Sequence, residues 1–87
     1  MYKVVMSRRA LKFKENLDLR AQHRINDLIE RLKANPYAVK HKRIESKKHK
    51  GTRRARTGDF RVLYIIYKER YVVEIMKIRH RKNVYKK

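Results

Sequence analysis

The hydrophobic positions of this chain change their period twice. Tyr2 to Met6 is a short apolar run with β-branched residues, which predicts a first strand. From Ser7 the period lengthens: Ala10, Phe13 and Leu17 recur at helical spacing, with Leu11 beside them. Ser7 stands where an N-cap belongs, and the helix is expected to end near Asn16. A clearer helix follows. Ala21, Ile25, Leu28, Ile29 and Leu32 form one apolar stripe, with Arg24, Asp27, Glu30, Arg31 and Lys33 outside it. Asp18 or a neighbour caps this helix, and Asn35-Pro36 stops it, because the residue before proline is pushed out of helical geometry. The two helices read as a hairpin whose inner stripe covers a sheet. The competing reading of the stripe is a groove for a partner.

Period two returns after Gly51. Three strands are expected in close order, Arg53 to Thr57, Phe60 to Tyr67 and Tyr71 to Arg79. Gly58-Asp59 is the first turn and Lys68-Glu69-Arg70 the second. Phe60 to Tyr67 is apolar on both faces apart from Arg61, as a central strand is. Between the helices and these strands the apolar anchors are Val39 and Ile44, so a short strand near Ile44 and a solvated basic loop from Ser46 to Lys50 are expected. The tail from Ile78 onward is read as a short helix or an extended segment. The fold class is α+β: one strand, a two-helix hairpin, then an antiparallel meander of three to four strands, in one domain over residues 1–87.

Pairing brings the charges together. A Gly58-Asp59 turn sets Arg56 opposite Arg61 and Arg54 opposite Leu63. If Tyr67 pairs with Tyr71, Arg61 faces Lys77 and Arg79 falls opposite Asp59. Arg54, Arg56, Arg61, Lys77 and Arg79 then share one face, which continues as Leu63, Ile65, Tyr67, Tyr71, Val73 and Ile75. Glu74 is expected on the other face, paired with a helix base. A slip of one residue would scatter the cluster.

Composition sharpens this picture. Lys and Arg total 27 against 8 Asp and Glu, a net charge of +19. Such density repels itself, and a polyanion relieves it. Charged thermophile surfaces raise Glu along with Lys, which is not the balance here. From Lys40 to Arg56 there are nine Lys or Arg, two His and one acid. Within it Lys42, Arg43, Lys47, Lys48, Lys50 and Arg53 are expected to track phosphates. Cysteine is absent, and His23, His41, His49 and His80 form no ligand-type pair, so no metal and no cofactor are expected. No stretch approaches the ~20 apolar residues of a membrane span, and no signal peptide is evident, so a cytoplasmic protein is expected.

No nucleophile–base triad, glycine-rich phosphate loop or carboxylate pair stands at useful spacing. What remains is a set of Arg, Lys, His and Tyr suited to metal-free RNA cleavage, in which the ribose 2′-oxygen attacks its own phosphate. Arginine forks hold phosphate and stabilise its developing charge. Arginine cannot take the proton, because its pKa lies above ~12. The proton carriers are then Lys77, His80 or Tyr85, or the RNA and solvent. The plainer roles are an edge-strand histidine for His80, a clip onto the core for Tyr85 and a turn residue for Asp59.

Three segments carry a resemblance: Asn35-Pro36 after the second helix, Arg54-Ala55-Arg56-Thr57-Gly58-Asp59-Phe60-Arg61-Val62-Leu63-Tyr64, and His80-Arg81-Lys82-Asn83-Val84-Tyr85. With the order of elements, they resemble the RelE/ParE superfamily of toxin–antitoxin toxins, closer to RelE, over essentially the whole chain. The resemblance implies a fold similar to microbial ribonucleases and ribosome-dependent cleavage of messenger RNA in the A site. It also implies a RelB-like antitoxin as partner, with the toxin alone monomeric. By position, the resemblance puts Arg54 and Arg56 at the basic pair before the turn, Arg61 at the phosphate-stabilising arginine, Arg79 or Arg81 at the C-terminal basic residue and Tyr85 at the terminal tyrosine. Two departures stand out: some active relatives carry lysines at Arg54 and Arg56, and many carry an aromatic residue at Arg53. A ParE-like poison of DNA gyrase and a non-enzymatic RNA- or ribosome-binding module are the alternatives.

Overall fold

The computed structural model describes residues 1–44 and 51–80. The order of elements is β1 (Lys3–Met6), α1 (Arg8–Glu15), α2 (Leu19–Ala34), β2 (Lys42–Arg43), β3 (Thr52–Thr57), β4 (Phe60–Tyr67) and β5 (Val72–His80). The sheet order is β1-β5-β4-β3-β2; β1 runs parallel to β5, and the other neighbours pair antiparallel. The α+β expectation holds, including the meander.

The helices form where the apolar periods and caps place them. The Ser7 hydroxyl accepts from Ala10 N at 3.0 Å, and the Asp18 carboxylate accepts from Ala21 N at 2.8 Å. Each satisfies one of the backbone donors that a helix start leaves free. Ile25, Leu28 and Leu32 of α2 and Ala10 of α1 are buried against Ala55, Phe60, Val62, Tyr64, Val73, Ile75 and Ile78 of the sheet. Fully burying an Ile or Leu side chain contributes about 1.5–3 kcal/mol, so this one-sided core carries the fold. Both helices therefore lie on one face of the sheet. The other face is open.

The turn after β3 is the expected one. Arg56 pairs with Arg61 and Arg54 with Leu63. Gly58 has a φ of 59°, and a Cβ there would come within 3.0 Å of the Arg24 side chain, so both backbone and space favour glycine.

The next turn departs from expectation. Its tip uses four residues, a 3₁₀ turn over Lys68–Arg70 closed by Tyr71 in the left-handed region at φ 56°. Tyr67 therefore pairs with Val72 rather than Tyr71. That one-residue shift turns Val73 and Ile75 toward the helices, opposite Ile66 and Tyr64. Glu74 moves to the open face opposite Ile65, and its carboxylate accepts from the Tyr67 hydroxyl at 3.1 Å, not from a helix base.

A second irregularity reverses the first. Tyr64 pairs with Ile75 but Leu63 pairs with Lys77, which leaves Met76 as an extra residue in β5. Below this bulge Arg61 pairs with Arg79, correcting the expected Arg61–Lys77 and Asp59–Arg79 pairs. Lys77 and Arg79 thereby return to the open face. The described part of the tail is strand rather than helix, with Ile78 in the core.

Tyr64 is fully buried, and its hydroxyl has no hydrogen-bond partner among the described residues. Burial pushes its phenol up to about 12, opposed by the Arg53 charge. A buried polar group left unpaired costs about 1–3 kcal/mol. Tyr64→Phe is therefore expected to match or exceed the parent in urea unfolding; a loss beyond about 1 kcal/mol would reveal a hydrogen bond that the hydroxyl makes.

Candidate functional site

On the open face the cations stand in two cross-strand rows. Arg56, Arg61 and Arg79 lie directly opposite one another on β3, β4 and β5. Beside them, Lys42, Arg54 and Lys77 lie in the row that Leu63 completes. Neighbouring strands are about 4.8 Å apart, so these charges crowd one another. Among the described residues none of these cations lies within ion-pair distance of a carboxylate. Arg61 Nε is buried with no partner there. Folding alone has no use for such a ladder, whereas an anion laid across it would satisfy every member.

Lys77 stands among these cations. Burial lowers its pKa, and the Arg79 and Arg9 charges lower it further. Arg9 was not singled out in the sequence; it arrives because α1 begins beside the bulge. Ser7 makes that junction. Its backbone N donates to Ile75 O at 2.9 Å, and its hydroxyl donates to Met76 O at 2.7 Å while accepting from Ala10 N. One side chain thus caps α1 and holds the carbonyl that the bulge takes out of the ladder.

A pocket of about 490 Å³ opens at the β3 end of the cationic face, lined by Lys40, His41, Lys42, Arg54 and Arg56. Lys40 and the wall residue His41 were not foreseen as site residues. The sequence offered one signal for them, their place in the charge run before β2.

Two expected members point elsewhere. Arg53 neighbours Arg54 in β3, so alternation sends it to the helix-covered side opposite Tyr64. There its guanidinium donates to His41 Nε2 at 2.7 Å and lies 5.3 Å from the centre of the Tyr37 ring. His80 pairs with Phe60, and their rings meet edge to face at 5.2 Å. It lines a separate hollow of about 350 Å³ with Asp18, Arg20, Arg24 and Asp59. Neither belongs to the ladder. Arg43 is exposed on the sheet edge opposite Arg53. Arg81, Tyr85, Lys47, Lys48 and Lys50 lie outside the described residues. Among those described, no three His, Cys, Asp or Glu side chains gather to hold a metal, and no helix is long and apolar enough to cross a membrane.

Residues 4–85 match the family described as the ParE toxin of the type II toxin–antitoxin system parDE. The chain belongs to this family. It is a toxin of the RelE/ParE superfamily. Among solved structures it is similar to the RelBE2 toxin–antitoxin complex of Mycobacterium tuberculosis, with 28% identity, a TM-score of 0.77 and coverage of 92% of this chain and 98% of that one. It is also similar to the YoeB/ParE toxin of Agrobacterium tumefaciens, at 25% identity and a TM-score of 0.76 over 90% of this chain and 96% of the other. The archaeal RelE–RelB complex of Pyrococcus horikoshii shares the fold, with 24% identity and a TM-score of 0.79 over 92% and 94% of the two chains. No curated protein matches the chain. The toxin thus shares its architecture with structures that carry RelE and ParE names alike, and its own side chains must carry any narrower assignment.

Proposed function

We propose that this toxin is a metal-free endoribonuclease that cuts messenger RNA on the ribosome in the cytoplasm and is held inactive by a RelB-like antitoxin. The observation that carries this reading is the row Arg56–Arg61–Arg79, three arginines facing one another with no carboxylate paired to them among the described residues. A scissile phosphate is the anion it fits. Its dianionic, five-coordinate transition state has more charge than the ground state, so a fixed arginine row stabilises it preferentially.

The chemistry divides as follows. A neutral Lys77 amine takes the proton from the ribose 2′-hydroxyl, and the freed oxygen attacks the adjacent phosphorus. Arg61, with Arg56 and Arg79 on either side, balances the charge on the non-bridging oxygens. The bond from phosphorus to the 5′-oxygen breaks, and that oxygen takes a proton from Tyr85 or water. The products are a 2′,3′-cyclic phosphate and a free 5′-hydroxyl. Arg54 and Lys42 hold the neighbouring phosphate, and Arg81 supplies a further cation for the RNA.

Primer extension on translated messages is expected to show new 5′ ends with the toxin, with Arg61→Ala cutting at least about 100-fold more slowly. Unchanged cutting by Arg61→Ala would remove the arginine row from the mechanism. The ParE family match favours a second reading, a gyrase poison. Intact message together with inhibited supercoiling would establish that reading in place of the first.

The role of Lys77 has a pH signature. Only its neutral form can accept a proton, so the rate should climb as pH rises toward its pKa, which lies below the ordinary 10.5. Arginine stays protonated, so Lys77→Arg should show a lower rate and a flatter profile. The same slope in both proteins would exclude Lys77 as the base.

A further inference from the structure

We propose that Ser7 is the positioning residue of Lys77: its hydroxyl pins the bulge in β5, which sets Lys77 on the cationic face with Arg9 beside it. This deepens the endoribonuclease reading and rests on it for the part that Lys77 plays in cleavage. Ser7 itself touches no RNA.

A bulge leaves one residue without a cross-strand partner. In β5 that residue is Met76, between Ile75 opposite Tyr64 and Lys77 opposite Leu63. The alternative is a bulge one residue later, with Met76 opposite Leu63 and Lys77 as the extra residue. Ile75 and Ile78 would keep their places in the core, and Arg79 its place opposite Arg61. Met76 is exposed where it stands, so burial gives it no strong preference. The core therefore does not choose between the two placements, yet only the first puts Lys77 in the row. Ser7 makes the choice. Its backbone N donates to Ile75 O at 2.9 Å and its hydroxyl donates to Met76 O at 2.7 Å. Consecutive carbonyls of a regular strand point to opposite edges, so one residue can bind both only where the strand bulges.

The same hydroxyl accepts from Ala10 N at 3.0 Å and so starts α1. The first turn of α1 carries Arg8 and Arg9 and no acidic residue, although the helix dipole favours an acid there. Burial lowers the pKa of Lys77, and the charges of Arg79 on its own strand and Arg9 on α1 lower it further. From β4 its cross-strand neighbour is the apolar Leu63. Lys77 has no ion pair among the described residues. The junction at Ser7 thus controls both where the amine stands and which charge accompanies it.

The test compares wild-type toxin with Ser7→Gly, Ser7→Thr and Arg9→Gln, reading the Lys77 titration from its ε-carbon NMR signal and the kinetics of message cleavage. Glycine starts a helix nearly as well as serine but has no hydroxyl. Ser7→Gly should lower kcat about tenfold or more, because a displaced base loses its reach. KM should hold, since Arg54, Arg56 and Arg61 lie on β3 and β4 while Ser7 bonds to β5. Lys77 should titrate at higher pH than in wild type, and the rising limb of the rate profile should move with it. Ser7→Thr keeps the hydroxyl and should restore both. Arg9→Gln removes one charge from an exposed position and should also raise the Lys77 titration. An unchanged Lys77 titration in Ser7→Gly would overturn the proposal and leave Ser7 a helix cap alone; should that variant not fold, an unchanged titration in Arg9→Gln would overturn it instead. The titration needs no RNA. A wild-type toxin that leaves message intact would refute the endoribonuclease reading, while the Lys77 signal still decides the positioning; a toxin that cuts, with Lys77 unmoved by Ser7→Gly, would refute the positioning alone.

Discussion

One extra residue in β5, Met76, decides where the charge of this protein sits. Above it Val73 and Ile75 face the helices, and below it Ile78 does so too, which a regular strand of alternating residues could not manage. The apolar residues thereby keep to the core while Lys77 and Arg79 emerge on the opposite face, beside Arg61. A strand without the bulge would send Lys77 and Arg79 toward Val62 and Phe60, and the desolvation of two cations would be prohibitive. The bulged carbonyl is bound by Ser7, whose other bond starts α1. Sheet, helix and cationic face are joined at that single side chain.

The resulting molecule sets a one-sided apolar core against a face of mutually repelling charge. The core residues of α2, β4 and β5 supply the favourable term, and the ladder Arg56–Arg61–Arg79 opposes it. The lowered pKa of Lys77 reports that opposition: burial and the Arg79 and Arg9 charges disfavour its cationic form. An anion bound across the face removes the repulsion. The charges are thus unfavourable for the isolated fold and favourable for its complex, as expected where binding rather than stability has shaped a surface.

Local pattern carried most of the architecture. Ser7, Asp18 and Asn35-Pro36 mark the helix ends, and Gly58 marks a turn whose two sides pair as the spacing requires. The second hairpin was less legible. Tyr71 adopts a left-handed backbone that a tyrosine does not advertise, so the tip gained a residue. The Met76 bulge added another, and the two shifts together restored the parity at Lys77 and Arg79 that a simpler register had given them. The five cations share one face as expected, with Arg56 opposite Arg61 and Arg54 opposite Leu63; the partners of Lys77 and Arg79 are what changed. The bulge depends on Ser7, 69 residues away, a contact that no local window contains. Arg53 is a different case: period two alone separates it from Arg54. His41 could not be placed, because its ring is fixed by Arg53 across a gap that the sequence leaves open.

The cationic face is tested most directly by the salt dependence of binding to a short single-stranded RNA that the toxin cannot cut, made with 2′-deoxyribose at the scissile position. Each phosphate contact contributes a slope of about −0.7 to log affinity against log salt. Arg54, Arg56, Arg61, Lys77 and Arg79 acting together predict a slope of about −3.5. A slope shallower than about −1 would mean that the ladder does not meet the phosphate backbone, and would contradict the account.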